Sequence, residues 1–288
     1  MLQYWKTAVV VGILLLGWLH VDLALAYVKG IYLSQPTAEN SKKMDYLISQ
    51  SKSVGINTFV IDTQYRNSTY AQNLKKVHNA GIRFVSRIVI FPGGGTPEQV
   101  MNKAIWAKKL TLAKYAVSLG ASEIQLDYIR YNVKGGASTQ KAHNIKRVIK
   151  YFRDNLPSQV KLQIDIFGVA AHKPSNTIGQ NVALFAPHLS AICPMVYPSH
   201  YEPFRYHAVR PYNTVLKSVE ALKRQLKNDK HVQVYPYLEL YNYRYPMGRA
   251  QRMSYTRAQI QAAKDAGANG YYFWSARNQY GILFDVLR

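Results

Sequence analysis

The chain has 288 residues, of which 48% are hydrophobic and 18% charged, so it can bury a large core and is not intrinsically disordered. Its single cysteine, Cys193, excludes an internal disulfide framework and a cysteine-based zinc cluster. With 37 Lys and Arg against 15 Asp and Glu, the formal net charge is +22, which favours anionic partners or surroundings. The basic residues form no run or stripe, so we interpret the charge as a general surface property rather than a dedicated site.

Residues 1–26 have the pattern of a secretory signal peptide. A short head with Lys6 precedes an apolar stretch from Thr7 to Leu19, and the small-residue motif Ala24-Leu25-Ala26 follows. The apolar stretch is shorter than the roughly 20 residues that a spanning helix needs. We therefore expect cleavage after Ala26, export to the periplasm or the medium, and no stable membrane insertion. An uncleaved membrane anchor is the alternative.

From Val28 onwards, short runs of β-branched and aromatic residues alternate with longer stretches of helical periodicity. The predicted strands are Val28–Leu33, Ile56–Asp62, Ile82–Phe91, Ser122–Arg130, Lys161–Phe167, Leu189–Tyr197, His231–Leu240 and Asn269–Ser275. The predicted helices lie near 38–54, 70–80, 97–119, 138–155, 176–186, 212–228 and 255–266.

Eight strand–helix units within residues 27–288 predict an α/β fold, a single (β/α)8 TIM barrel, whose usual size they match. A doubly wound open sheet is the rival, but it would place a glycine-rich turn after the first strand. That turn is Ser34-Gln35-Pro36-Thr37 here and has no phosphate-binding pattern. Because no linker rich in Pro, Gly or Ser divides the sequence, we predict one domain.

Four acids are predicted to point inward near the carboxyl ends of strands: Asp62, Asp127, Asp165 and Glu239. Side chains alternate between the two faces of a strand, and the apolar set of each of these strands should pack under the helices. The carboxyl ends of the strands hold the active site in barrel enzymes. Asp62 is equally well explained as a structural group paired with an arginine.

Tyrosine occurs 23 times, and several tyrosines lie beside these acids in the sequence. Their flat apolar faces and polar edges suit a sugar ring. The predicted substrate-binding residues are Tyr32, Asp62, Arg87, Tyr128, Arg130, Tyr197, His200, Tyr201, Trp274 and Asn278. The histidines are too dispersed for a zinc motif and no serine nucleophile elbow occurs, so we expect no catalytic metal and no cofactor.

Five segments resemble a bacterial family of glycoside hydrolase TIM-barrel domains. They are VKGIYL (28–33), NTFVID (57–62), EIQLDYIRY (123–131), DIFG (165–168) and CPMVYPSHY (193–201). The resemblance extends over essentially the whole chain after the signal peptide. It implies a catalytic barrel that acts on a polysaccharide, with Asp127 and Asp165 at acid positions of the family.

The chain departs from that family at two places. After strand three, Phe91 is followed by Pro92-Gly93, where the family commonly has Phe-Lys-Asp. In strand seven YPYLELY (235–241) stands in place of the family's Arg-Pro-Trp-Leu-Gln-Asp-Phe, so that one acid is missing and Glu239 appears beside its position.

These observations favour hydrolysis of O-glycosidic bonds by two carboxyl groups, one protonating the departing oxygen while the other attacks carbon or activates water. Asp127 is the expected nucleophile or base, and either Asp165 or Glu239 the acid. The expected partner is a polysaccharide, with an anionic or cell-envelope glycan favoured by the net charge. The alternatives are a carbohydrate-binding barrel that has lost its chemistry, and a binder of nucleic acid or anionic membrane, for which no specific motif occurs. The sequence leaves the oligomeric state open.

Overall fold

The structure, a computed structural model, describes residues 27–288, and the predicted signal peptide lies outside this range. Its strands are β1 Val28–Leu33, β2 Thr58–Asp62, β3 Arg83–Val89, β4 Glu123–Asp127, β5 Lys161–Phe167, β6 Ala191–Met195, β7 Gln233–Val234, β8 Tyr237–Glu239 and β9 Gly270–Trp274.

The helices lie between the strands, on the outside of the sheet. The α-helices are α1 Gln35–Ala38, α2 Ser41–Ser53, α3 Ser68–Asn79, α4 Pro97–Met101, α5 Lys103–Ser118, α6 Thr139–Asn155, α7 Val182–Phe185, α8 Phe204–His207, α9 Pro211–Gln225, α10 Arg249–Asp265 and α11 Gly281–Leu287. Short 3₁₀ helices occupy Gly168–Ala171, Ala186–His188 and Pro198–His200. No helix within residues 27–288 is both long and apolar enough to cross a membrane.

The strands form one closed parallel barrel. Each strand from β1 to β5 pairs with the one that follows it, up to β6, and β9 pairs with both β8 and β1. The segments β7 and β8 both pair with β6 and together make the seventh barrel strand. The predicted (β/α)8 barrel is therefore confirmed.

The seventh strand was predicted to run unbroken from His231 to Leu240, and that prediction is wrong. The strand is interrupted at Tyr235-Pro236. Proline has no N–H group to donate to a neighbouring strand, so the ladder of hydrogen bonds lapses there.

Two predicted helices also need correction. The stretch 97–119 contains two helices, because Asn102 is extended (φ −79°, ψ 101°) and its side chain caps α5 through Ala104 N at 2.9 Å. In the stretch 176–186 only Val182–Phe185 is α-helical, with Asn181 as its N-cap residue. The helix α11 was not predicted.

The predicted alternation of side chains places two distinct layers around the strands. Residues such as Ile124, Leu126 and Ile164 face outward and belong to the large core under the helices. The barrel interior holds a second cluster that includes Val60 and Tyr237.

Polar side chains also lie inside the barrel. Gln125 Nε2 donates to Gln163 Oε1 at 3.1 Å, and Tyr237 Oη donates to Gln125 Oε1 at 2.8 Å. These buried groups are paired with one another, as buried polar atoms need to be. Side chains thus fill the barrel interior as far as Tyr237, which lines the cavity at the carboxyl ends of the strands.

Candidate active site

A cavity of about 450 Å³ lies at the carboxyl ends of the strands, a volume in the usual range for ligand pockets. Its walls combine aromatic rings with a few charged groups. The lining residues are Arg87, Asp127, Tyr128, Arg130, Asp165, Phe167, Gly168, Val169, Gln180, Met195, Tyr197, His200, Tyr201, Tyr237 and Trp274.

Arg87 on β3 is the buried cation at the centre of this site. It forms ion pairs with Asp62 and Asp127, and its Nε lies 3.8 Å from Asp165 Oδ2. Burial alone would lower the pKa of Arg87, but the charges of Asp127, Asp62 and Asp165 raise it well above its usual value. The guanidinium therefore stays charged and holds three carboxyl groups from three different strands in one place.

Asp127 is the last residue of β4 and is held by N–H donors. Its Oδ2 accepts from Arg87 Nε at 3.0 Å and also from Arg87 Nη2, while its Oδ1 accepts from the amide of Tyr128 at 2.5 Å. Tyr128 has a φ of 51°, in the left-handed region, so the chain turns sharply immediately after the carboxylate. Both oxygens of Asp127 are therefore held in a fixed orientation at the carboxyl end of β4.

Asp165 on β5 is in the opposite situation. Its side chain is buried, and within residues 27–288 no hydrogen-bond partner meets its Oδ1. Burial raises the pKa of Asp165 well above its usual value, the charge of Asp127 raises it further, and Arg87 offsets part of the rise. The environment of Asp165 therefore favours its protonated form more than that of an ordinary aspartate, which suits a general acid.

Glu239 does not line the cavity, although strand alternation predicts an inward position. Its Oε1 accepts from Tyr255 Oη at 2.6 Å and Ser199 N at 3.0 Å, and its Oε2 accepts from Ser199 Oγ at 2.7 Å. Burial raises the pKa of Glu239 to about 7, while the hydrogen bonds from Tyr255 and Ser199 lower it. The carboxyl group joins α10 to the 3₁₀ helix after β6, behind the cavity wall.

Seven of the ten predicted substrate-binding residues line the cavity, and Tyr32, Asp62 and Asn278 do not. Tyr32 Oη donates to Asp62 Oδ2 at 2.6 Å, and the Tyr32 ring stacks on Trp274 with centroids 3.9 Å apart. The Asn278 amide donates to Tyr32 O at 3.1 Å and accepts from Ser34 N at 2.9 Å. These three residues support the cavity wall from behind, Asp62 through Arg87 and Tyr32 through Trp274.

Sequence reasoning missed six lining residues: Phe167, Gly168, Val169, Gln180, Met195 and Tyr237. Alternation along the seventh strand had already placed Tyr237 inside the barrel. Gly168 is the last residue of the family-like segment DIFG (165–168), and its role in the structure is to leave room for neighbouring groups. A Cβ there would lie 2.0 Å from Tyr201 Oη and 2.6 Å from the carbonyl oxygen of Met195.

The sequence predicts no catalytic metal, because the histidines His172, His188, His200 and His207 are widely dispersed. Only His200 lines the cavity. Across the described residues, no group of three or more His, Cys, Asp or Glu side chains is placed to hold a metal ion.

The sequence matches the family described as "Putative glycosyl hydrolase domain" over residues 98–280. That match covers more than half of the chain, and the chain belongs to this family. No curated protein sequence matches it significantly.

Solved structures with the same barrel include several named as carbohydrate-cleaving enzymes. The spore cortex-lytic enzyme SleL of Bacillus cereus is 12% identical, with a TM-score of 0.63 over 90% of this chain and 73% of that chain. A chitinase of Rhizomucor miehei is 13% identical, with a TM-score of 0.59 over 90% and 98%. A chitinase of Chromobacterium violaceum is 9% identical, with a TM-score of 0.60 over 90% and 98%. At these identities the likeness concerns the fold alone.

Proposed function

We propose that this protein is a glycosidase that hydrolyses O-glycosidic bonds of a polysaccharide with Asp165 as general acid and Asp127 as nucleophile or base. The observation that carries the proposal is the pairing of these two carboxyl groups in one cavity, one buried with a raised pKa, the other held by N–H donors. The family description and the named activities of the barrel neighbours support the same reaction class.

Each carboxyl group has the setting that its role requires. The proton of Asp165 passes to the oxygen of the departing sugar, and that oxygen leaves with the electrons of the broken C–O bond. Asp127 Oδ1 stabilises the developing positive charge at the anomeric carbon, by direct attack or through a water molecule. Arg87 keeps the Asp127 carboxylate in place by its bonds to Oδ2.

The separation of the two groups favours a retaining course. Asp127 Oδ2 lies 3.0 Å and Asp165 Oδ2 lies 3.8 Å from the same atom, Arg87 Nε. Two oxygens so placed can be separated by the roughly 5–5.5 Å of retaining enzymes, but they reach only the lower edge of the inverting range of about 6.5–9.5 Å.

The aromatic walls suit a carbohydrate. Tyr128, Tyr197 and Trp274 line the cavity, where a ring can stack on the apolar face of a sugar. A polysaccharide outside the cytoplasm would also agree with the secretory signal expected at residues 1–26, and export is part of this proposal.

A carbohydrate-binding barrel without catalysis is the second candidate, and one observation favours it. Both oxygens of Asp127 already accept hydrogen bonds from within the protein, as expected of a structural carboxylate. In this case the site would bind sugar without turnover.

The deciding experiment compares the wild-type protein with Asp127→Asn and Asp165→Asn for reducing-end release from neutral and acidic polysaccharides of bacteria and plants. We expect release by the wild type and a loss of about 10²–10⁴-fold in Asp165→Asn, because general acid catalysis contributes roughly that much. The rate of the wild type should fall as pH rises through the raised pKa of Asp165, because the acid then loses its proton.

Asp154→Asn is the matched control, since Asp154 is an exposed helical residue paired with Lys150. It should release sugar like the wild type. If Asp127→Asn and Asp165→Asn release as much sugar as the wild type, neither residue takes part in the mechanism. Sugar binding without release by the wild type would establish the second candidate.

A further inference from the structure

Arg130 is a buried cation without an anionic partner in the wall of the cavity. Its side chain lies three residues beyond Asp127, and the residue is only 8% exposed. Among residues 27–288, none of the ion pairs includes it. A buried charge normally requires a partner, because its removal from water is otherwise uncompensated.

The hydrogen bonds of Arg130 are also incomplete. A guanidinium carries five N–H groups, and Nη1 of Arg130 donates to Tyr131 O at 2.9 Å. Within the described part of the chain its Nε is buried without an acceptor. Burial lowers the pKa of Arg130, and the charges of Tyr128 and Asp127 offset only part of that effect.

The guanidinium is nevertheless held in a fixed position. Its central carbon lies 4.7 Å from the centre of the Phe167 ring and 5.4 Å from that of Tyr128, and both rings line the same cavity. Behind it, Gly94 lacks the side chain that would obstruct it, since a Cβ at that position would lie 2.5 Å from Arg130 Nη1. Two flat rings and a close backbone thus orient a planar fork of donors.

Arg87 gives the contrast within the same cavity. Arg87 already forms ion pairs with Asp62 and Asp127, which balance its charge. Arg130 has no such anion within residues 27–288, and the fork of an arginine matches the two oxygens of a carboxylate.

We infer that Arg130 binds a carboxylate carried by the substrate, so that the preferred glycan is acidic and places a carboxylated sugar beside the bond that is cleaved. This inference rests on the proposed function and specifies its substrate class. A uronic acid and a lactyl ether on an amino sugar both supply the required group.

The test measures the binding of two matched pairs of sugars to the protein. In the first pair, the disaccharide of N-acetylglucosamine and N-acetylmuramic acid differs from N,N′-diacetylchitobiose by the lactyl carboxylate. In the second, trigalacturonate is compared with its methyl ester. Both pairs are titrated into Asp165→Asn, which keeps an uncharged polar group at that position and slows turnover.

The carboxylated member of at least one pair should bind about 10- to 100-fold more tightly, as expected for a hydrogen-bonded ion pair in a buried setting. The pair that shows the preference identifies the source of the carboxylate. Adding Arg130→Met, which keeps much of the side-chain volume, should abolish the preference. Adding Arg257→Met, which removes one charge from an exposed position of α10, should leave it intact.

A second variant, Arg130→Gln, covers the case in which Arg130→Met does not fold, which thermal unfolding would reveal. Equal binding within both pairs, or a preference that persists in a folded Arg130 variant, overturns the inference while the proposed function stands. If none of the four sugars binds and no polysaccharide releases reducing ends, the proposed function fails and the inference fails with it.

Discussion

At the scale of single residues, Asp165 and Glu239 are the two candidates for the general acid. Both carboxyl groups are buried, and they differ in the groups that surround them. Asp165 lines the cavity and has an oxygen that accepts no hydrogen bond within residues 27–288, whereas Glu239 lies behind the wall with three donors on its oxygens. A general acid must lie next to the departing oxygen, and of the two residues only Asp165 lines the cavity. Glu239 instead fixes Ser199, two residues after Tyr197 in the cavity wall.

Glu239 should make the unfolding free energy of the protein depend on pH. Its pKa is about 7 when folded and about 4.3 in an unfolded chain, so the folded state binds the proton more tightly. The contribution is fully present below about pH 4.3 and is lost as pH rises to about 7. Glu239→Gln can still accept from Ser199 N and Tyr255 and donate to Ser199 Oγ, and it should therefore show a shallower fall of unfolding free energy between pH 5 and 8.

Denaturant unfolding of both proteins at several pH values measures this difference. Parallel curves for wild type and Glu239→Gln would mean that Glu239 is ionised in the folded state. In the same pair of proteins, Glu239→Gln should reduce hydrolysis far less than Asp165→Asn does.

At the scale of elements, the wall of the cavity depends on how closely the segments after β5 and β6 approach each other. Gly168 begins the 3₁₀ helix after β5, and Tyr201 follows the 3₁₀ helix after β6. The Tyr201 hydroxyl accepts from Ser218 of α9 at 3.0 Å, which keeps the ring from moving aside. Glycine is required at 168 because a Cβ there would also lie only 2.6 Å from the backbone carbonyl oxygen of Met195, which cannot rotate away.

Gly168→Ala should destabilise the protein by about 1–3 kcal/mol, the usual cost of overpacking a filled site. It should also weaken sugar binding, since the displaced groups line the cavity. Gly136→Ala is the control, because a Cβ at that position meets nothing within 4 Å and its φ is not positive. Equal unfolding free energies for Gly168→Ala and Gly136→Ala would show that the segment after β5 can accommodate a Cβ at position 168 without destabilising the protein.

At the scale of the whole molecule, the net charge of +22 and the buried Arg130 act over different ranges. Exposed charges attract an anionic polymer over a Debye length, which falls from about 30 Å at 0.01 M salt to about 8 Å at 0.15 M. A contact inside a cavity is screened much less. If the substrate is the acidic glycan that we propose, the surface charge should raise its local concentration and the cavity should select among glycans.

Overall affinity for an anionic polysaccharide should therefore fall steeply as salt rises from 0.01 to 0.15 M. The preference for a carboxylated sugar over its neutral counterpart should change little over the same range, because both sugars are short and Arg130 is 8% exposed. Sugar titrations across a salt series measure both quantities. A preference that disappears together with the affinity for the polymer would assign the selectivity to surface charge.

The sequence by itself determined the barrel, because the alternation of strands and helices and the period of two along a strand are local properties. Alternation placed Asp127 and Asp165 at the mouth and the outward residues Ile124 and Ile164 under the helices, as the structure has them. The lapse at Pro236 was also encoded locally, although it was not predicted.

Only the tertiary structure decided which groups at the mouth share one cavity. Glu239 lies two residues after Tyr237 and so faces the same side of the strand. It is nevertheless held behind the wall by Tyr255 and Ser199, which belong to segments distant in sequence. Arg87 bonds with Asp62 and Asp127, whereas Arg130 forms no ion pair with any residue from 27 to 288, and nothing in their sequence surroundings distinguishes the two. Protonation and pairing depend on distances between side chains of separate strands, and those distances exist only once the barrel closes.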